Sequence, residues 1–253
     1  MTLFLLPPSE TKRDGGVAGS RFALSRLRYR QLTSHRAAVL EALISLSSDE
    51  ASGARALRLS ARSAPAELAR NRALRRSQML PAIERYTGVL YDALGVTDWE
   101  PAARERATEH VVIQSALFGL IGANDPIPAY RLSHDSRVPE LRLVSHWSAP
   151  VAAILARHEG PIIDLRSEAY AALGPIPERG DARFIRVVAV GDGGVARALS
   201  HANKSSKGRF LRSILAAGPP PRSIDDLIEL SGTLGWTLRA GAPGELDLVV
   251  PSA

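Results

Sequence analysis

Short apolar runs recur along this chain, and most of them lead directly into polar residues. The runs occupy residues 2–6, 111–115, 161–165 and 182–190, and segments with apolar residues at helical spacing separate them. A short apolar run bounded by turn residues is typical of a buried strand. Strands interleaved with helices predict an α/β fold, which we expect to be a single compact domain over residues 1–253 with a mixed β-sheet flanked by helices.

The segments between these runs allow more detailed predictions. The helical spacing predicts one long helix or two within residues 22–47 and a helical pair at 50–62 and 65–79. Ser223 is expected to cap a helix at 224–231, and residues 236–240 and 245–250 to form two antiparallel strands. Residues 119–134, with two glycines and two prolines in the first ten positions, predict an irregular functional loop, and residues 191–194 predict a plain turn.

The residue composition excludes several classes of function. The 253 residues include no cysteine, so disulfides, iron–sulfur clusters and thiolate zinc sites are excluded. The six histidines form no H-E-x-x-H pair, so we predict neither a metal site nor a cofactor. No apolar run approaches the roughly 20 residues of a membrane span, and the first residues lack the pattern of a secretion signal. We therefore expect a cytoplasmic protein with no membrane partner.

The lysines are the exception in a chain rich in arginine. The formal net charge is +6, which favours anionic partners, yet only three of the 32 basic residues are lysines. Where arginine has replaced lysine generally, the remaining lysines are expected where a compact or deprotonatable amine is required. Lys12, Lys204 and Lys207 therefore mark the predicted functional site.

Residues 201–212 carry cations, hydroxyls and an amide within one segment. On a helix Lys204 and Lys207 share one face, whereas Ser205, Arg209 and Arg212 share another. If the helix begins at Ser205 and Ser206, its free N–H groups and the lysines would converge on a phosphate or carboxylate.

Three other polar positions have competing interpretations. Ser167 follows a predicted strand, as nucleophiles often do, but a helix N-cap is the better interpretation because G-x-S-x-G is absent. Asp164 is expected to orient a cation or a substrate hydroxyl rather than to act alone as a base. His134 is part of either a carboxylate–imidazole pair or a solvated loop.

Several motifs together resemble one known family. The segments LLPPSETK, YTGVLYDAL, SALFGLIGANDPIPAYRL, IIDLRSEAY, KSSKGRFLRSIL and GELDLVV occur in the order and at roughly the spacing seen in the YaaA family, also called the DUF328 or peroxide-stress family. The resemblance spans nearly the whole chain. Its most specific parts are residues 119–132 and 204–212, and it identifies the chain as a divergent, arginine-rich member.

The resemblance implies a fold and a function. The implied fold is a compact α/β domain with a positively charged cleft and a helix-hairpin-helix-like element, which the pair at 50–79 matches by position. The implied function is cytoplasmic protection against hydrogen peroxide by limiting free iron, together with DNA binding. The pair at 50–79 lacks the glycine hairpin. The first motif also differs: the family usually has S-P-A-K-T where this chain has Pro8-Ser9-Glu10-Thr11-Lys12. In the loop, the family has R-P-x-D where this chain has Gly122-Ala123-Asn124-Asp125, so the arginine of that motif is missing here.

Two hypotheses follow, and the sequence leaves both open. In the first, the protein binds DNA through backbone phosphates with low specificity, using Arg70, Arg72, Arg75 and Arg76. In the second, it is an enzyme that acts on a nucleotide, nucleobase or other anionic small molecule. The catalytic candidates are then Lys12, Asp164, Tyr170 and Lys207. The candidates for ligand binding are Ser9, Thr11, Lys12, Asp125, Tyr130, Arg131, Arg166, Ser167, Lys204, Ser205, Lys207, Arg209 and Arg212.

Overall fold

The computed structural model describes residues 1–190, 196–198 and 201–251. The predicted turn at residues 191–194 lies outside these ranges. Within them the strands are β1 (Leu3–Leu6), β2 (Leu80–Pro81), β3 (Val111–Ser115), β4 (Gly119–Gly122), β5 (Pro126–Ile127), β6 (Ile162–Asp164), β7 (Ala182–Val190), β8 (Ala196–Ala198), β9 (Thr237–Ala240) and β10 (Glu245–Val250).

The helices account for most of the rest of the fold. They are α1 (Thr33–Leu46), α2 (Glu50–Ala56), α3 (Ala64–Arg72), α4 (Ala82–Arg85), α5 (Val89–Leu94), α6 (Pro101–His110), α7 (Leu143–Ala156), α8 (Glu168–Ala171), α9 (His201–Ala217) and α10 (Ile224–Thr233).

One mixed sheet organises the molecule. Its strand order is β4-β3-β1-β6-β7-β10-β9, and β8 pairs with the end of β7. The five central strands are mutually parallel, whereas β4, β8 and β9 pair antiparallel with their neighbours. The predicted α/β fold with a mixed sheet in a single domain is therefore confirmed.

Strand β1 lies at the centre of the sheet, and its residues form part of the core. All four of its residues are buried, since parallel neighbours pair with both of its edges and helices cover the sheet. Phe4 aligns with Val111 of β3 on one side and with Ile163 of β6 on the other. The apolar run at residues 2–6 is thus a core strand, as its sequence predicts.

The predictions for residues 224–250 were also correct. The Ser223 hydroxyl accepts a hydrogen bond from the Asp226 amide at 3.0 Å and so caps α10. Strands β9 and β10 pair antiparallel, with Leu238 aligned with Leu248.

The region before α1 is less helical than its spacing suggests. Two 3₁₀ turns, Leu24–Arg26 and Arg30–Leu32, precede the helix, which begins only at Thr33. Tyr29 has a φ of 60°, a left-handed conformation that interrupts a right-handed helix. The apolar positions of residues 22–32 therefore pack on the core without forming a continuous helix.

The prediction of an irregular loop at residues 119–134 was wrong in its first part. Residues Gly119–Gly122 form β4, which pairs antiparallel with β3. The reversal between the two strands depends on Gly119, which has a φ of 64° and lies against the Trp147 ring. Glycine-rich residues thus form a strand here because the edge of β3 supplies hydrogen-bond partners.

The helical pair at residues 50–79 is present but shorter than predicted. It consists of α2 and α3, and a 3₁₀ turn at Leu74–Arg76 follows α3. The segment between the two helices contains Arg58 at a φ of 52°, a conformation for which glycine is the usual residue.

Helices α5 and α9 pack closely at Gly208, and this contact positions the two helices beside the end of the sheet. A Cβ atom on Gly208 would lie under 3.0 Å from the Leu90 carbonyl oxygen and 3.1 Å from the Leu94 nitrogen. Both atoms belong to the backbone of α5, so they cannot move aside as a flexible side chain would.

We predict that Gly208→Ala lowers the free energy of unfolding by about 1–3 kcal/mol, because the added methyl group forces α5 and α9 apart. Gly232→Ala is the matched control, since Gly232 is also helical but a Cβ there meets nothing within 4 Å. It should leave stability unchanged or raise it by up to about 1 kcal/mol. Urea unfolding measures both variants, and equal effects of the two would contradict the close approach.

Candidate functional site

A cleft opens at the edge of the sheet where β1 and β6 end. The chain places β3 on one side of β1 and β6 on the other, so the topology switches direction at β1. Open α/β sheets bind ligands in the crevice at such a switch point, outside the carboxyl ends of the strands. The cleft has a volume of about 550 Å³.

Five parts of the chain line the cleft: the segment after β1, helix α5, His134, the segment from the end of β6 into α8, and helix α9. The lining residues are Pro7, Pro8, Ser9, Glu10, Thr11, Val89, Leu90, Tyr91, His134, Leu165, Ser167, Tyr170, Asn203, Lys204 and Lys207. Among the residues singled out from the sequence, the structure brings together here Ser9, Thr11, His134, Ser167, Tyr170, Lys204 and Lys207.

The segment after β1 presents two hydroxyl groups to the cleft. Ser9 Oγ and Thr11 Oγ1 are 3.2 Å apart, and Thr11 Oγ1 donates to the Thr87 carbonyl at 3.2 Å. Gly88 allows this approach, because a Cβ there would lie 3.2 Å from Thr11 Oγ1 and 3.3 Å from Ser9 Oγ. The hydroxyls are therefore held at fixed positions near the start of α5.

Lys12 belongs to the same segment but is not among the residues that line the cleft. Its Nζ donates to the carbonyl oxygens of Ser9 at 2.9 Å and Glu10 at 3.1 Å, and it lies 4.1 Å from the centre of the Tyr130 ring. Burial, followed by the Arg131 guanidinium, lowers the pKa of Lys12 to about 7. Lys12 thus braces the backbone that carries Ser9.

Tyr130 lies beneath Lys12 in a buried hydroxyl network. Its phenol oxygen is 2.7 Å from Tyr86 Oη and 2.8 Å from Ser115 Oγ. Burial raises the pKa of Tyr130 well above its ordinary value, so the phenol stays protonated at neutral pH. The structure places Tyr130 in the support of the cleft rather than on its surface.

Arg131 and Asp125 also lie away from the cleft lining. Arg131 Nη1 is 2.8 Å from the Glu10 carboxylate, which holds that part of the segment after β1. Asp125 Oδ2 accepts hydrogen bonds from the backbone nitrogens of Gly122 at 2.9 Å and Arg28 at 2.8 Å. Asp125 therefore closes its own turn, where the family motif has its R-P-x-D residues.

Asp164 and Arg166 form a buried ion pair behind the cleft. Arg166 Nε donates to Asp164 Oδ1 at 2.8 Å, and Nη2 donates to Oδ2 at 2.7 Å. Arg166 Nη1 also donates to the Gly174 carbonyl at 2.9 Å. Both carboxylate oxygens of Asp164 thus accept hydrogen bonds from Arg166. The cation that Asp164 orients is therefore the Arg166 guanidinium.

Lys207 joins this ion pair to the cleft. Lys207 is 4% exposed, and its Nζ donates to the Arg166 carbonyl at 3.2 Å. Burial lowers the pKa of Lys207 to about 8, although the Asp164 carboxylate acts in the opposite direction. Lys207 is therefore a buried amine at the cleft wall that is protonated in a substantial fraction of molecules at neutral pH.

Helix α9 begins at His201 and not at Ser205 and Ser206, so the helix start on which the expected anion site depended is not observed. These serines lie within the second turn, where backbone N–H groups bond to the preceding turn of the helix. The lysines nevertheless share one face, as their spacing predicts: Lys204 is exposed at the cleft, and Lys207 is buried one turn later.

The remaining residues of this segment are placed differently. Arg209 is exposed and lies outside the cleft lining, and Arg212 packs against Gly95. Ser205 is half-buried and is likewise not a lining residue. Ser167 occupies the predicted N-cap position, of α8, but its side chain makes no capping hydrogen bond and instead lines the cleft.

The sequence singled out His134 and Tyr170 but did not predict that they form an aromatic wall of the cleft with Tyr91. Tyr91 Oη donates to the Pro7 carbonyl at 2.7 Å, and the His134 and Tyr170 rings meet edge to face with centroids 5.1 Å apart. Asn203 lies on the α9 side. Tyr91 resembles a core position in the sequence, and its only available signal was its place within the motif YTGVLYDAL.

The four arginines assigned to DNA lie on α3 and in the turn after it, and two of them are paired with acidic residues. Arg70 is bonded to Glu67 at 2.6 Å and Asp14 at 2.8 Å, and Arg75 is bonded to Glu41. The exposed Arg72 donates to the Ser47 carbonyl at 2.7 Å. Arg76 is exposed.

The described part of the chain contains neither a cluster of potential metal ligands nor a helix suited to cross a membrane. No group of three or more histidine, aspartate or glutamate side chains there is arranged to hold a metal ion. No helix there combines the length and the apolar character that a membrane crossing requires.

Comparison with known proteins gives consistent matches along the chain. The family model described as peroxide stress protein YaaA matches residues 2–240. The UPF0246 protein of Streptomyces coelicolor is 38% identical over 246 residues, covering 96% of this chain and 94% of that protein. A UPF0246 protein of Corynebacterium glutamicum is 38% identical, covering 94% of this chain and 94% of that protein. A UPF0246 protein of Corynebacterium efficiens is 36% identical, covering 98% of this chain and 100% of that protein.

We predict that Lys12 makes the stability of the protein depend on pH. The unfolded chain holds the Lys12 proton up to the ordinary pKa of 10.5, whereas the folded chain releases it near pH 7. The unfolded state therefore binds more protons between these values, and stability should rise with pH across this range. Relative to Lys12→Met, the wild type should gain at most about 1.4 kcal/mol per pH unit.

Urea unfolding at pH 7.0, 8.0 and 9.0 measures this difference. Lys204→Met is the matched control, because Lys204 is an exposed lysine on another element, and it should follow the wild type at every pH. Parallel stability curves for the wild type and Lys12→Met would show that the ammonium of Lys12 is not desolvated in the folded state.

Proposed function

Because this chain belongs to the family of peroxide stress protein YaaA, we propose that it acts in the cytoplasmic response to hydrogen peroxide by binding a phosphate-bearing small molecule in its cleft. The single observation that carries the binding proposal is Lys207, a buried cation at the wall of a cavity that also holds Lys204. Buried charges are costly unless they are paired. A bound anion would compensate this charge.

The surroundings of Lys207 favour an anion as its partner. The ammonium has three N–H donors: one bonds to the Arg166 carbonyl, and Nζ also lies 4.9 Å from the centre of the Phe184 ring. The Arg166 guanidinium is already paired with the Asp164 carboxylate. The Ser167 hydroxyl lines the same cavity, makes no capping hydrogen bond and supplies a further donor to a phosphate oxygen.

The cavity favours a small molecule over a polymer as the ligand. Its volume of about 550 Å³ falls in the range typical of small-molecule sites. Proton transfer by Asp164 and Tyr170, as the enzymatic hypothesis requires, has less support. The Asp164 oxygens bond to Arg166, and burial raises the pKa of Tyr170, so neither group is a free base near neutral pH. We therefore propose binding without assigning a reaction.

We predict that Lys207→Met weakens phosphate binding about tenfold or more, because it removes a charge-assisted donor from a desolvated position. The ligand is inorganic phosphate, and the measurement is the rise in melting temperature relative to sodium chloride at matched ionic strength. Arg209→Met is the control, since Arg209 is a cation of the same helix outside the cleft, and it should retain wild-type affinity.

Circular dichroism confirms that both variants are folded before binding is compared. Phosphate affinity that is unchanged in Lys207→Met, or that is lost equally in Arg209→Met, would refute a specific site at Lys207. A deletion strain complemented with each variant then tests the physiological part of the proposal. Lys207→Met should leave the strain sensitive to hydrogen peroxide, whereas Arg209→Met should restore resistance.

DNA binding is the second candidate function, and a different surface supports it. Arg72, Arg75 and Arg76 are exposed within five residues at the end of α3 and in the following turn, on a chain with a net charge of +6. Cations on one surface attract backbone phosphates without sequence specificity. The pairing of Arg75 with Glu41 and the neutralisation of Arg70 weaken this surface.

We predict that a variant with Arg72, Arg75 and Arg76 all changed to glutamine binds duplex DNA more weakly. Each phosphate contact that is lost reduces the slope of log affinity against log salt by about 0.9. Fluorescence anisotropy with a labelled duplex at several salt concentrations measures the slope, and Lys207→Met should leave it unchanged. A wild-type protein that does not bind duplex even at low salt would exclude this function.

A further inference from the structure

Three aromatic side chains form one wall of the cleft: Tyr91, His134 and Tyr170. The His134 and Tyr170 rings are fixed edge to face, with an interplanar angle of 81°. Tyr91 is held in place by its hydrogen bond to the Pro7 carbonyl and by contact with the Tyr86 ring at 5.3 Å. Rigid aromatic side chains at a cavity wall offer a stacking surface at little cost in conformational entropy.

The same cavity presents cations and hydroxyls from other elements. Lys204 and Lys207 lie on α9, whereas Tyr170 lies on α8 and Tyr91 on α5. Ser9 and Thr11 follow β1. The cavity therefore combines groups that bind an anion, groups that bond to hydroxyls and groups that stack on a ring, and an inorganic anion alone would use only the first of these.

We propose that the ligand of the cleft is a nucleotide, with its phosphate at Lys204 and Lys207 and its base against the rings of His134 and Tyr170. This inference rests on the proposed function, since it takes the phosphate site as given. A nucleotide contains a phosphate, a sugar with hydroxyls and an aromatic base in one molecule. Base–aromatic stacking tolerates any base, because every base has a π-face. The Asn203 amide, also at the wall, supplies a donor and an acceptor to the edge of a base.

The test compares ligands that differ only in the base. The full-length protein is titrated with AMP, GMP, CMP and UMP, and with ribose 5-phosphate, which keeps the sugar and the phosphate. At least one nucleotide should bind about tenfold or more tightly than ribose 5-phosphate, as one base–aromatic stack provides. Isothermal titration calorimetry measures each affinity.

Variants of the aromatic wall separate stacking from other effects. Tyr170→Leu and His134→Leu should reduce nucleotide affinity to the level of ribose 5-phosphate and leave ribose 5-phosphate affinity unchanged. Tyr170→Phe, which restores the ring without the hydroxyl, should keep the preference for the nucleotide. His134 is half-buried, so His134→Leu carries the test even if Tyr170→Leu does not fold.

The possible failures point to different conclusions. If all four nucleotides bind no more tightly than ribose 5-phosphate, the nucleotide inference is overturned and the phosphate site stands. If nucleotides are preferred but the leucine variants keep that preference, the base is not at this wall and the inference also fails. If neither the nucleotides nor ribose 5-phosphate binds, and Lys207→Met does not change the affinity for inorganic phosphate, both the nucleotide inference and the proposed function fail.

Discussion

The buried ion pair of Asp164 and Arg166 is the interaction on which the cleft depends. The two side chains share two hydrogen bonds at the end of β6, and Arg166 also binds the Gly174 carbonyl. Removing one partner from such a pair costs about 3–5 kcal/mol, because an uncompensated charge is left in the core. The pair therefore fixes the course of the chain from β6 into α8, which forms one wall of the cleft.

The same pair determines which buried cation at the cleft wall has no carboxylate hydrogen-bonded to it. Because Asp164 neutralises Arg166, the buried charge at the cleft wall is that of Lys207, whose ammonium is anchored on the Arg166 carbonyl. Close packing at Gly208 holds this part of α9 against α5 and brings Tyr91 to the same cavity. A neutral pair in the core and a buried lysine at the cleft wall thus leave one positive charge at this wall.

Much of the fold and part of the site followed from local patterns. Apolar runs predicted β1, β3, β6 and β7, because a central parallel strand must be apolar on both faces. Helical spacing placed Lys204 and Lys207 on one face, and the segment after β1 was expected at the binding edge of the sheet. Strand β4 was not predicted, since its glycines form a strand only through pairing with β3.

The sequence by itself determined the α/β class, the family and the segments that carry the site, because periodicity and short motifs are local properties of the chain. Only the tertiary structure decided which side chains face the cleft. Lys12 turns onto the carbonyls of Ser9 and Glu10 and onto the Tyr130 ring, whereas Lys207, 195 residues later in the chain, lines the cavity. That difference arises from contacts between segments distant in sequence, which set burial, hydrogen-bond partners and pKa, and which no local pattern encodes.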